Sequence, residues 1–120
     1  PASRKARTAL GSVLVGQRRY AEAVDACREA IRLNLDEMHA HLDLWDALEA
    51  LGRFRDLEAA ARAVIERKSD HADAHARLGL ALYAQARYAE SVTAYRTAVE
   101  RHPEIPRFRD GLAAALRKTQ

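Results

Sequence analysis

Shifted by 34 residues, the chain aligns with itself without a gap, and that restricts it to folds built from a repeated unit. Leu10, Leu44 and Leu78 fall in one column, Leu14, Leu48 and Leu82 in a second, and Tyr20, Phe54 and Tyr88 in a third. Ala30, Val64 and Ala98 form a small apolar column, followed by Ile31, Ile65 and Val99. Arg19, Arg53 and Arg87 precede the aromatics; Glu22, Asp56 and Glu90 follow them. A partial fourth copy begins at Pro106, with Leu112, Ala113 and Leu116 in register.

Each unit reads as two helices. The first carries apolar residues one turn apart, as in Ala74, Leu78, Ala81 and Leu82. Gly52 breaks the second unit, because glycine just past a helix end takes a left-handed conformation at little cost. Arg18 and Ala86 mark weaker breaks at the same column. The second helix carries Tyr88, Val92, Tyr95, Ala98 and Val99, and Pro103 stops it, since proline cannot continue a helix interior. Ser69 or Asp70 is expected to cap the helix that follows.

The unit from Ala72 to Ile105 resembles a tetratricopeptide repeat through Leu78-Gly79, Leu82, Tyr88, Tyr95, Ala98 and Pro103. The first unit carries the same resemblance through Leu10-Gly11, Leu14, Tyr20, Ala23, Ala30 and Ile31. The resemblance covers nearly the whole chain. It implies an all-α fold, a right-handed α-solenoid of three helix-turn-helix units plus a C-terminal capping helix. The expected organisation is a single domain over residues 1–120, with repeats at about 4–37, 38–71 and 72–105 and the capping helix at about 106–118. About three such repeats are needed before each can bury its faces. The closing segment carries Arg107, Arg109, Arg117 and Lys118, the polar outer face that keeps a solenoid soluble.

The second unit departs from the pattern. Trp45 stands where the other units have Gly11 and Gly79, and Ala61 stands where the third has Tyr95. A size exchange is expected, with Trp45 filling volume that Ala61 leaves. Leu35 and Ser69 occupy the column of Pro103, so the turns there are expected to be looser.

Length suits one domain, and no apolar run approaches the ~20 residues that span a bilayer. The basic start has no apolar leader stretch and no initiator Met, so a cytoplasmic piece of a longer protein is the expectation. Frequent Ala and Arg point to a bacterial, GC-rich source. Cys27 has no partner for an internal disulfide and sits among Ala23, Val24, Ala26, Ala30 and Ile31, as a buried structural thiol would. There is no Gly-rich phosphate loop, nucleophile elbow or paired cysteine, so neither an enzyme nor a cofactor is expected.

Five histidines raise the question of a metal. His71 and His75 are four apart and His39 and His41 two apart, and an i, i+4 pair can bind zinc. However, His71 is expected to precede its helix, His75 falls in a packing column, and no third ligand is evident, so no metal site is assigned. Net charge is +3. Arg28, Arg62 and Arg96 recur along the second helices, but Glu58, Glu66 and Glu100 stand one turn from them and neutralise them. Nucleic acid requires cations left over for phosphates, so this face reads as solvated.

The resemblance further implies that the first helices line a concave groove that binds an extended or helical peptide. The groove residues it assigns are Lys5, Thr8 and Ser12, then His39, Leu42, Asp43, Asp46 and Glu49, then Asp73, Arg77, Leu80 and Tyr83. Asp36 to Ala50 holds five carboxylates and no Lys or Arg, whereas residues 1–19 hold five basic residues and no acid. An acidic centre with an apolar patch from Leu42, Leu80 and Tyr83 is expected. Family members that grip the acidic C-terminal tails of heat-shock chaperones use Lys, Asn and Arg at columns where this chain has Thr8, Ser12, Asp43, Asp73 and Arg77. Only Arg77 matches, and Asp43 and Asp73 repel an acidic tail. The expected partner is a protein or peptide with basic and apolar residues. Two other readings stand beside it: self-association through basic ends and an acidic middle, and an accessory domain that positions a substrate for an enzyme in a longer chain. A plainer account pairs Arg4, Lys5 and Arg7 with the acidic helix, at about 0–1 kcal/mol per surface pair.

Overall fold

The computed structural model describes residues 4–120, with the side chain of Arg4 outside the description. Seven helices and no strand occur among the described residues: α1 Arg4–Gly16, α2 Tyr20–Leu33, α3 Met38–Ala50, α4 Phe54–Arg67, α5 Ala72–Ala84, α6 Tyr88–Arg101 and α7 Pro106–Lys118. The starts of α1, α3, α5 and α7 recur at the 34-residue period of the sequence. The chain forms two compact units, one ending at Arg53 and the other running from Phe54 to Gln120.

In the first unit α2 packs against both α1 and α3. Val24, Cys27 and Ala30 supply the buried face of α2. Gly11 lets α1 approach closely: a Cβ there would come within 2.8 Å of the Cys27 sulfur. Trp45 and Leu48 are fully buried on α3.

The second unit has two apolar clusters. In one, Leu78 and Leu82 of α5 meet Ala61 and Ile65 of α4 and Ala94 of α6. In the other, Ala72 and Ala76 of α5, Tyr95 and Ala98 of α6 and Phe108 of α7 come together, with Leu80, Val99, Ile105 and Leu112 against them. The Tyr95 ring lies between two glycines. A Cβ at Gly79 would come within 2.7 Å of it, and one at Gly111 would collide outright. Ala61, in the column of Tyr95, is itself fully buried.

The turns within repeats share one geometry. Arg18, Gly52 and Ala86 all adopt positive φ, at 61°, 71° and 61°. In each turn the next residue's N–H returns to the carbonyl five back: Arg19 to Leu14, Arg53 to Leu48 and Arg87 to Leu82, all at 2.9 Å. This is the Schellman closure, which satisfies carbonyls the helix end leaves open. Only one of the three uses glycine, so Arg18 and Ala86 hold a conformation that costs a side-chain-bearing residue about 1–2 kcal/mol.

The turns between repeats correct two expectations. Where proline is missing, the turn is tied rather than loose. His41 Nε2 donates to the Leu35 carbonyl at 2.9 Å, and 34 residues on His75 Nε2 donates to the Ser69 carbonyl at 2.8 Å. After Pro103 the matching position is Arg109. The residue capping α5 is His71, whose Nδ1 accepts from the Ala74 N–H at 3.1 Å, and neither Ser69 nor Asp70. Asp70 instead accepts from Arg101 at 2.9 Å.

Candidate functional site

In the first unit the candidate residues lie on α1 and α3. Ser12 and Asp43 come together: the Ser12 hydroxyl donates to the Asp43 carboxylate at 2.6 Å. The spacing that puts both on one face is the repeat itself, with α1 packed on α3. A hydroxyl donor leaves the Asp43 charge uncancelled. Burial pushes the Cys27 thiol up to about 12, and the negative charge of Asp43 adds to that. Cys27 is therefore a packed thiol without nucleophilic character at neutral pH.

Lys5, Ser12, His39, Asp46 and Glu49 are exposed, whereas Thr8, Leu42 and Asp43 are half-buried. Arg7 turns to α2, 3.4 Å from Glu29, and not to acidic α3. The hydrogen bond from Arg32, with the charges of Arg32 and Arg7, holds the Glu29 carboxyl below the usual range. The expected pairing of Arg4 falls on a side chain outside the described residues.

In the second unit Asp73, Arg77 and Leu80 gather where α5 meets α7. Asp73 accepts from Arg107 at 2.6 Å, so a cation on α7 answers its charge. Arg77 and Leu80 line a cleft of about 100 Å³ with Ala76, Tyr95, Arg107 and Phe108. The Arg107 guanidinium sits 4.9 Å over the Phe108 ring, within cation–π range. Tyr83 goes elsewhere: its ring meets Tyr88 edge-on at 5.2 Å, and Lys118 stands 5.8 Å from the Tyr88 ring. Leu80 and Tyr83 are therefore engaged by different neighbours.

Sequence reasoning missed Arg107 and Phe108. The signal was available, because Arg107 is one period after Asp73. It also missed a larger cleft of about 430 Å³ on α4, α5 and α6, floored by Ile65, Leu78, Leu82 and Ala94. A polar knot stands beside it at Glu58. Arg62, Gln85 and Arg87 all donate to that carboxylate, at 3.1, 3.0 and 2.8 Å. Burial pushes the Glu58 carboxyl up, but the hydrogen bonds from Gln85 and Arg62 and the charges of Arg87 and Arg62 outweigh it and hold the group below the usual carboxylate range. Glu58 occupies the column of Val24 and Val92, where a carboxylate has no packing reason to stand.

Among the described residues no three of His, Cys, Asp and Glu come together as a metal would require. No described helix is long and apolar enough to cross a membrane.

Known structures share this fold at low identity. The Sgt2 TPR domain from Aspergillus fumigatus superposes with a TM-score of 0.88 at 20% identity, over 97% of this chain and 78% of that one. The first TPR of Spaghetti (RPAP3), bound to the HSP90 peptide SRMEEVD, gives 0.89 at 17%, over 97% and 92%. The 41-end fragment of MamA from Desulfovibrio magneticus RS-1 gives 0.79 at 18%, over 98% and 72%. No curated protein matches the chain. The tetratricopeptide-repeat profile matches residues 8–56, 42–106 and 77–120. The chain belongs to the tetratricopeptide-repeat family.

Proposed function

We propose that this chain is a protein-interaction module whose first helices hold a peptide or protein segment carrying basic and apolar side chains. The observation that carries this is the charge of α3. Asp43 accepts from the Ser12 hydroxyl, a neutral donor, while nearby Arg7 is committed to Glu29 on α2. Asp46 and Glu49 stand exposed on the same helix. A segment bearing Lys or Arg gains there from charge complementarity. On the same helix Leu42 is half-buried beside Asp43 in sequence, an apolar neighbour for the segment's apolar side chain.

The RPAP3 neighbour binds an acidic peptide. This chain is proposed to prefer the opposite charge at α3, because Asp43 occupies a column where the chaperone-gripping members carry Asn. No reaction is proposed: the perturbed thiol is buried, and the family fold serves as an interaction scaffold.

A peptide array that varies charge and apolar content tests the reading, probed with the wild type and with the Asp43→Lys/Asp46→Lys variant. Salt-sensitive binding of basic-apolar peptides by the wild type, lost in the variant, is expected. Binding that survives the double charge reversal rejects α3 as the site.

A further inference from the structure

The cleft on α4, α5 and α6 has a chemistry of its own. Its floor is α5 and its walls are α4 and α6, and α5 also packs against α7. That helix therefore has its neighbours on both sides, and the cleft is not a contact left open for an adjoining repeat. At about 430 Å³ it falls within the roughly 300–1,000 Å³ of small-molecule sites. Ten residues line it, against the roughly 20–30 a side of a standard protein interface. Its size suits a small molecule rather than a protein.

Ile65, Leu78, Leu82 and Ala94 make the floor apolar, so the bound molecule needs an apolar body. The rim selects its head group. Arg62 turns Nε and Nη2 to Glu58, and Glu90 accepts from Nε and Nη2 of Arg87 at 3.0 and 2.8 Å. The Thr93 and Thr97 hydroxyls donate to the Ala89 and Thr93 carbonyls at 3.4 and 3.2 Å, which leaves their oxygens as acceptors. His75 donates through Nε2 to the Ser69 carbonyl, so its neutral ring keeps Nδ1 as an acceptor. Glu66 lines the cleft without a hydrogen bond or ion pair among the described residues. The guanidiniums of Arg62 and Arg87 thus stand among three carboxylates, Glu58, Glu66 and Glu90, and one negative charge is left over. The bond to Ser69 holds His75 against the turn that follows α4, so the acceptors of His75 and Glu66 share one end of the cleft. We infer that this cleft binds a small organic ammonium ion, its apolar body over Ile65, Leu78 and Ala94 and its N–H donors at Glu66, His75 and Thr97. The site goes beyond the basic-segment site proposed on α3 and stands without it.

The probe is phenylpropylamine, with phenylpropanol and phenylpropanoate as its neutral and anionic counterparts. Each is titrated into the chain at about pH 8, where an imidazole is ordinarily neutral, and read by amide NMR shifts. Shifts at Glu66, His75 and Thr97 should saturate with a Kd below about 1 mM for the amine. The amine should bind about five-fold more tightly than the alcohol at low salt, the acid weakest, and salt should shrink the gap. Glu66→Gln should remove the amine's advantage. Thr93→Phe fills the mouth of the cleft from an exposed position and should abolish binding of amine and alcohol alike. A circular dichroism melt verifies the fold of both variants. Asp43→Lys/Asp46→Lys should leave the shifts intact, which separates failure here from failure on α3. Equal affinity for amine and alcohol, an advantage that survives Glu66→Gln, or no saturable shift up to about 10 mM overturns the inference. So does a Lys-bearing peptide that shifts the same amides while the free amine does not, which would make the occupant a protein segment.

Discussion

The first unit, through Arg53, and the second, from Phe54, are cut from the same repeat yet differ at their surfaces. Among the described residues every large hydrophobic side chain that stands exposed, Leu10, Val13, Leu33, Leu35 and Leu51, belongs to the first. The second buries Leu78 and Ala81, the equivalents of Leu10 and Val13, and adds a helix, α7, that seals Tyr95 and Phe108 beneath a basic outer face. It also ties α4 to the end of α5 through Glu58. The comparison teaches that sequence period sets which residues form a packing stripe, whereas chain context decides whether that stripe is core or surface.

The largest expected effect lies in the first unit. Trp45→Ala empties a fully buried site and should cost about 3–5 kcal/mol in chemical denaturation. A loss below about 1 kcal/mol would mean that the first unit's core does not rest on it. The sharpest contrast between the units uses one column: Leu78→Ala should cost about 3 kcal/mol, Leu10→Ala less than about 0.5. Equal losses would break the assignment of Leu10 as surface.

Glu58→Ala should cost about 2 kcal/mol, because three donors lose a charged acceptor. Its folded carboxyl sits below the ordinary 4.5, so its contribution is present above that pH and drains as pH falls through the folded value. Acid titration of thermal stability should flatten in Glu58→Gln over that window. The smallest effect is a gain. Ala86→Gly relieves a left-handed alanine and should add about 1 kcal/mol, while Gly52→Ala should remove about as much. A loss from Ala86→Gly would mean that chain flexibility outweighs the strain.

Much of the fold was legible because columns of identical character repeat at a fixed period. Leu10, Leu44 and Leu78 announced the helices, and Gly52 announced the turn that Arg18 and Ala86 also make. The histidine ties were not legible as such. His41 and His75 share a column, but their role is to reach a carbonyl six residues back, a geometry that no side-chain pattern encodes. The site was legible as a set of columns and no further. Asp43 finds Ser12 and Asp73 finds Arg107, so two carboxylates that look alike in sequence differ once folded, one held by a hydroxyl and the other by a cation.

The ring of Tyr95 between Gly79 and Gly111 bears on how interchangeable the pieces of such an array are. The other first helices carry Ala9, Asp43 and Arg77 in the column of Gly111. None of them could be grafted in place of α7 without driving a side chain into that ring. The last helix is thus keyed to the repeat it closes. Anyone splicing this chain into a longer array must either carry α6 and α7 across as a pair or shrink the tyrosine to make the joint general.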